Sequence, residues 1–276
     1  MNVVEYDASR RGDVADLMQR VWGERPDEDE LAWFYERNPV RPASVLLAYD
    51  GDEVVGTVAM AFLRMSVGGR EVEVGMPLRV ATDPAHRGRG LFLRLQEANE
   101  QRARDLGIRL LLTVPNAASA PVFLRKLDWR PLPSLRVWAR PRVLPGSVRG
   151  VERFTLVEDA PGGRDRVLRD TLWLNWRFAE APKPYTLVEE DGYAVVGRRG
   201  RVGVLAAVRG DLLREAAAVA RSPVLIAAPP PWERRRYALG GYLPTQRTLT
   251  VLGKALVRDQ RVPERPHFEL GDLDFL

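Results

Sequence analysis

The chain contains no cysteine, only three lysines (Lys126, Lys183 and Lys254) and only two histidines, His86 and His267. Without cysteine there are no disulfides, no thiolate metal sites and no cysteine nucleophile, a usage that fits a cytoplasmic protein. No cluster of His and carboxylates has metal-ligand spacing, so no metal cofactor is expected. No stretch approaches the ~20 apolar residues needed to cross a bilayer. Met1 to Arg11 is charged throughout and has no apolar core of a secretory leader. Neither membrane contact nor export is therefore expected. Two phosphate-binding signatures are also missing. No Gly-Lys-Ser/Thr loop occurs, and no Gly-x-Gly-x-x-Gly fingerprint.

What is present is an ordinary globular composition. The 276 residues are 45% hydrophobic and 29% charged, enough for one large domain or two of common size. The formal charge is +5, and nearly all the basic residues are arginine. Such a balance suits an anionic partner or cofactor, and equally an arginine-favouring genome. The arginines are scattered among 37 acids, and no aromatic-basic motif of the RNA-binding kind appears, which disfavours nucleic acid.

The first third reads as two helices followed by strands. Val14, Leu17, Met18 and Val21 fall on one face of a helix over 13–22. Asp27 is placed to cap a second helix reaching about Asn38, with Glu30 as its capping-box partner. Ser44 to Tyr49 and Val54 to Leu63 flank a hairpin turn, and Gly68-Gly69 makes a second one. Met76 to Thr82 is a further apolar strand, and Gly75 and Pro77 beside it suit a bulge or a break in pairing. Leu91, Leu95, Ala98 and Leu106 line one stripe of a helix over 90–106 that ends at Gly107. A short strand at 109–114 and a short helix at 118–127 follow. Then comes proline-rich sequence (Pro131, Pro133, Pro141, Pro145), and the domain boundary is placed at its end, giving domains 1–145 and 146–276.

The second half repeats the first weakly. Trp33-x-Tyr35-x-x-x-Pro39 matches Trp176-x-Phe178-x-x-x-Pro182, and Gly51 to Gly56 matches Gly192 to Gly197 with a two-residue gap. The strands expected at 202–209 and 224–228, with helices at 211–220 and 232–239, repeat the element order of Met76 to Leu127. Agreement of motif, spacing and order points to a duplication.

The segment richest in chemistry is Thr82-Asp83-Pro84-Ala85-His86-Arg87-Gly88-Arg89-Gly90-Leu91-Phe92. It joins an apolar strand to a long helix. The first amides of a helix lack internal acceptors and carry the positive end of its dipole. Gly88 and Gly90 permit close backbone approach, and Arg87 and Arg89 add positive charge. A pyrophosphate fits such a turn, as does a merely solvated loop.

Arg87-Gly88-Arg89-Gly90-Leu91-Phe92 resembles the Arg/Gln-x-x-Gly-x-Gly/Ala signature of the GNAT superfamily of acyl-CoA N-acyltransferases, with Phe92 at a position that is normally small. Asp83-Pro84-Ala85-His86 resembles its lead-in, and Lys126-Leu127-Asp128-Trp129 its Lys-Leu-Gly-Phe ending. The resemblance covers residues 1–140. The second half resembles a degenerate copy that lacks the Arg-Gly-Arg-Gly turn.

The resemblance implies an α/β fold of the α+β type: two GNAT-like domains, each with a mixed, mostly antiparallel sheet flanked by helices. It implies acetyl-CoA as co-substrate and transfer of its acetyl group to the primary amine of a small molecule or peptide. Strand 78–82 should splay from 110–114 to admit the pantetheine arm, which would contact Val80, Ala81 and Thr82. The diphosphate would meet Arg87, Gly88, Arg89, Gly90, Leu91 and Phe92, with Asn116 as a further CoA contact. Glu73 is the nearest base, or else a solvent-facing strand residue. Trp33 and Tyr35 flank the acceptor pocket or pack the core. The usual acid, a tyrosine, falls near Phe123 or Leu124, neither of which donates a proton. A non-catalytic acyl-CoA-binding protein and a tRNA-linked aminoacyl transferase remain as alternatives, and nothing in the sequence sets the oligomeric state.

Overall fold

The computed structural model describes residues 2–141 and 148–273. The first half runs β1 (Asn2–Glu5), α1 (Arg11–Trp22), α2 (Glu28–Glu36), β2 (Ser44–Asp50), β3 (Glu53–Val67), β4 (Arg70–Thr82), α3 (Leu91–Asp105), β5 (Leu110–Thr113), α4 (Ala120–Lys126) and β6 (Arg130–Pro141). The second runs β7 (Arg166–Val167), α5 (Thr171–Leu174), β8 (Thr186–Glu190), β9 (Gly192–Arg199), β10 (Val202–Arg209), α6 (Leu213–Val219), β11 (Val224–Ala227), α7 (Arg234–Leu239) and β12 (Leu243–Ala255). A π-turn over Asn175–Ala179 continues α5.

One large, mostly antiparallel sheet, flanked by helices, joins the two halves. Its order is β1-β2-β3-β4-β5-β12-β6-β11-β10-β9-β8, with β7 added beside β3. Among the strand pairs of the described residues, only β4/β5 and β10/β11 run parallel. From one edge β1, β2 and β3 lead to the parallel pair β4/β5, and from the other β8 and β9 lead to the parallel pair β10/β11, with β12 and β6 between the two pairs. The last strand of each half crosses over: β12 lies against β5, and β6 against β11. The core forms where side chains of alternating strand residues meet the helices, as strand geometry requires.

Several expectations change here. Residues 130–141 form a central strand, β6, that buries Leu135, Val137 and Trp138. Its prolines sit where a missing donor is tolerated: Pro131 one position from the end of the β12 ladder, Pro133 in the register shift between Leu132 and Leu135, and Pro141 at the end of the β11 ladder. The boundary expected at 145/146 lies outside the described residues. The strand expected at 54–63 runs on to Val67 as one fifteen-residue strand, β3. Asp27 does cap α2, accepting from the Glu30 amide at 2.6 Å. The Glu30 carboxylate completes no capping box and instead accepts from Arg79 at 2.9 Å.

Helix α3 buries more than its apolar stripe. Leu91 and Leu95 pack on the sheet, but Gln96, Asn99 and Glu100 are buried too. Glu100 accepts from Trp129 Nε1 at 2.7 Å and from Lys254 Nζ at 2.6 Å, which ties α3 to the crossing strand β12.

Candidate acyl-CoA site

The site is built on a fork in the sheet. β4 pairs with β5 only at Val74↔Leu110 and Gly75↔Leu111. Beyond Gly75 the two strands part, while β4 stays paired with β3 as far as Thr82. Gly75 is required at the crotch, because a Cβ there would meet Met60 Sδ at 2.6 Å and Leu111 Cδ2 at 2.8 Å. Pro77, just past it, offers no amide to a ladder. The break in pairing thus falls where Gly75 and Pro77 suggested. The bulge falls two residues later: Arg79 and Val80 together oppose Val58, and Arg79 has φ +46. Thr113 Oγ1 donates to Pro77 O at 3.0 Å, one side-chain bond across the opening.

Val80, Ala81 and Thr82 form the β3-paired arm of this fork, with no ladder partner on the β5 side among the described residues. The strand then enters the Arg-Gly turn. Asp83 holds its start by accepting from the Ala85 amide at 2.9 Å and pairing with Arg20 of α1 at 2.8 Å. The Arg20 hydrogen bond keeps the Asp83 carboxyl below its ordinary range. His86 is held by Asp50, at 3.0 Å from Nε2, rather than lying open at the surface.

Gly88 and Gly90 have φ +75 and +74, conformations that strain any residue with a side chain. Gly90 stands at the N-cap of α3, and the first helical bond is Arg94 N–H to Gly90 O at 3.1 Å. The amides of Gly88 to Leu93 therefore have no acceptor among the described residues. They form a row of donors beside the exposed Arg87 and Arg89. The Arg87 guanidinium reaches back to Thr82 O at 3.3 Å. Such a row at a helix start, with the dipole behind it, favours an anion.

Phe92 departs from a small residue, and the structure gives a reason. It packs edge-on to Phe123 at 5.7 Å, and Phe123 packs on Trp129 at 4.9 Å. The buried Phe123 and the more exposed Leu124 carry no proton donor. The two departures from the family pattern thus touch one another. Asn116 lies in the loop after β5, and its Oδ1 accepts from the Ala118 and Ser119 amides at 3.0 and 2.9 Å. That oxygen caps the approach to α4.

Glu73 lies before the fork, on the paired stretch of β4. Arg41 holds its carboxylate, with Nε at 2.9 Å. Glu71 faces Arg64 at 3.7 Å. The structure places both with arginine partners and not at the opening.

Trp33 and Tyr35 are both buried. Tyr35 stacks edge-on to Tyr6 at 5.3 Å. Trp33 faces the second half and stacks on Trp176 at 5.5 Å. Its Nε1 donates to Trp176 O at 2.7 Å, and Trp176 Nε1 donates to Trp33 O at 3.1 Å. The paired tryptophans of the sequence repeat therefore meet each other. Trp33 also lines a narrow crevice between the halves, with Glu30, Arg79, Arg177 and Lys183 among its walls. An adjoining, nearly filled crevice runs from Met76 and Leu78 on the fork strand to Trp173, Trp176, Arg177 and Asp272.

Sequence reasoning missed the ionic seam beneath these crevices. Buried Arg169 pairs with Asp272 and, at 3.3 Å, with Glu269. Burial raises the Glu269 carboxyl to about 7, and burial holds His267 neutral with its pKa well below 6.5. None of these residues stands in a motif.

Residues 3–132 match the profile of the family described as acetyltransferase (GNAT) domain. Over residues 3–132, a little under half of the chain, the sequence is thus similar to a GNAT acetyltransferase domain. Among solved structures, an acetyltransferase candidate from Pyrococcus horikoshii superposes with TM-score 0.67 at 12% identity, covering 99% of this chain and 94% of its own. A GCN5-related N-acetyltransferase from Kribbella flavida gives 0.65 at 17% identity, with 92% and 72% covered. Eis1 from Mycobacterium abscessus gives 0.59 at 14%, with 91% and 73% covered. At these identities the likeness is one of fold. No curated protein sequence matches the chain.

Proposed function

We propose that the chain binds acetyl-CoA at the fork and transfers the acetyl group directly to a primary amine. The observation that carries this reading is the fork beside its donor row. β4 leaves β5 at Gly75, and the same strand delivers the unpaired amides of Gly88 to Leu93. A pantetheine arm would replace β5 as the ladder partner of Val80 to Thr82, and the diphosphate would sit on the amides of the turn. The bulge at Arg79–Val80 turns backbone toward the opening, where an amide can polarise the thioester carbonyl.

In the reaction the amine nitrogen attacks the carbonyl carbon. The C–S bond breaks and the thiolate leaves with the electron pair. The nitrogen loses its proton and the thiolate gains one. A thiol of pKa near 8.5 leaves readily without an enzymic acid, which suits a site with Phe123 where a tyrosine would serve. Glu73, salt-bridged to Arg41 on the near side of the fork, is better read as a sheet residue than as the base.

The second half, on this reading, is a GNAT-like copy that has lost its anion turn and now walls the acceptor side. Its Trp176 meets Trp33 reciprocally, as repeated units related by a local two-fold would. The expected division into 1–145 and 146–276 follows from that reading. The missing proton donor favours one alternative, an acyl-CoA binder without turnover. Purified protein mixed with acetyl-CoA and a panel of primary amines tests the proposal: CoA release with amine dependence supports it, and binding without release supports the alternative.

A further inference from the structure

We infer that Arg79 is a positioning residue for the transfer: clamped by Glu30 and Phe34 of α2, it holds the bulge of β4 in the shape that presents a backbone amide to the thioester carbonyl. The inference rests on the acyltransferase reading and names what sets the geometry of the same site.

Arg79 has φ +46, and no other residue of β4 lies in the left-handed region. A side chain makes that conformation costly, so glycine is the residue expected there. An arginine keeps it only where its surroundings hold it. The Arg79 side chain is 8% exposed. Its Nη2 donates to Glu30 Oε1 at 2.9 Å, and its guanidinium lies over the Phe34 ring at 4.2 Å. Glu30 and Phe34 stand one turn apart on α2, so a single helix face grips the guanidinium by its edge and by its plane. An ion pair largely shielded from water and backed by a ring fixes geometry in a way that a solvated surface pair does not.

Position gives the clamp a role. Arg79 and Val80 together oppose Val58, so the ladder to β3 is interrupted on the strand that borders the fork. The interruption lies beyond Gly75, the last residue of β4 paired with β5. A bulge re-aims the backbone around it, and here that backbone has no β5 ladder partner among the described residues. The direction of its amides follows the φ of Arg79, and the grip of α2 sets that φ. The helix is itself tied down. Trp33, between Glu30 and Phe34 in the chain, exchanges hydrogen bonds with Trp176 at 2.7 and 3.1 Å. The second half thus steadies the helix that holds the bulge, which gives it a part in the transfer without a ligand of its own.

The test reads the carbonyl itself and needs no acceptor. Acetyl-CoA labelled at the thioester carbonyl is bound to the protein, and isotope-edited infrared spectra give its C=O stretch. A hydrogen bond to the carbonyl oxygen lowers that frequency below its value in free acetyl-CoA, which is the expected wild-type result. Arg79→Gly tolerates the same φ but loses the clamp. It should keep acetyl-CoA affinity within about threefold, since the diphosphate contacts are untouched, and return the stretch most of the way to the free value. Arg79→Lys keeps a charge for Glu30 and should fall between. With an amine that releases CoA, kcat of Arg79→Gly should drop about tenfold or more at an unchanged KM for acetyl-CoA, a part of the roughly 100- to 1,000-fold cost of a lost oxyanion donor. Glu30→Gln weakens the clamp from the other side and gives the same readout should Arg79→Gly fail to fold. A wild-type carbonyl that is bound but unshifted overturns the inference and leaves acetyl-CoA binding in place. A wild-type stretch retained in folded Arg79→Gly, or in Glu30→Gln where that variant replaces it, overturns it equally. Absence of acetyl-CoA binding overturns the acyltransferase reading and this inference together.

Discussion

Replacing Gly90 by Glu separates the fold of the turn from its chemistry. Gly90 has φ +74, and nothing lies within 4 Å of a Cβ built there. The substitution therefore meets no clash, only the left-handed backbone strain of about 1–2 kcal/mol. In a chain of this size that strain lowers Tm by roughly 2–8 °C, at about 2–4 °C per kcal/mol. The effect on binding is electrostatic. A carboxylate ~5 Å from one phosphate charge costs about 0.8 kcal/mol at the dielectric of water and about 3 kcal/mol at an effective dielectric of 20. Acetyl-CoA affinity should fall by a factor between about 4 and 200. Gly90→Ala carries the strain without the charge, so it should share the Tm loss and hold its affinity within a few-fold. Melting curves and calorimetric titration of the two variants give both numbers. A folded Gly90→Glu protein with wild-type affinity refutes the placement of phosphate on this turn.

Lys254→Met leaves Glu100 buried with Trp129 as its closest neutral partner, and should cost about 3–5 kcal/mol in denaturant unfolding. A double variant that also carries Glu100→Gln should recover much of the loss. Trp33→Phe and Trp176→Phe each remove one bond of the reciprocal pair, about 1 kcal/mol apiece, and a double-mutant cycle should show a coupling of about 0.5–3 kcal/mol. The ionic seam predicts opposed pH slopes. His267 is held neutral in the fold, so it withdraws stability as pH falls below 6.5; Glu269, raised to about 7, withdraws stability as pH rises from its ordinary 4.5 toward 7. His267→Gln should therefore leave a stability that falls with rising pH across 5–7, by up to about 1.4 kcal/mol per unit, and Glu269→Gln should leave the reverse slope. Denaturant midpoints at pH 5, 6 and 7 check both signs, and flat profiles in both variants would contradict them.

The parts legible in the sequence are those that a local rule dictates. Gly88 and Gly90 announce positive φ, Asp27 announces a helix start, and Gly75-Met-Pro77 announces an interrupted ladder. Each depends on its own few residues. The anchors of the acceptor side are different. β12 was not read at all, because Leu243 to Ala255 has weak alternation and its place between β5 and β6 is set by partners far along the chain. The proline-rich stretch before the expected boundary holds a central strand, because Pro131 and Pro141 fall near ladder ends and Pro133 in a register shift. Arg177 and Asp272 looked like two more charges in a charged chain, and the partners that hold them, Gly271 and Leu273 for Arg177 and Arg169 for Asp272, are far along the sequence. Tertiary contact decided these positions, and no spacing encodes it.

Calorimetric titration of the intact protein with acetyl-CoA, at moderate salt, tests the central claim most directly. Micromolar binding at one site is the predicted result, since one fork and one donor row stand in the first half. A folded protein that takes up no acetyl-CoA would contradict the account.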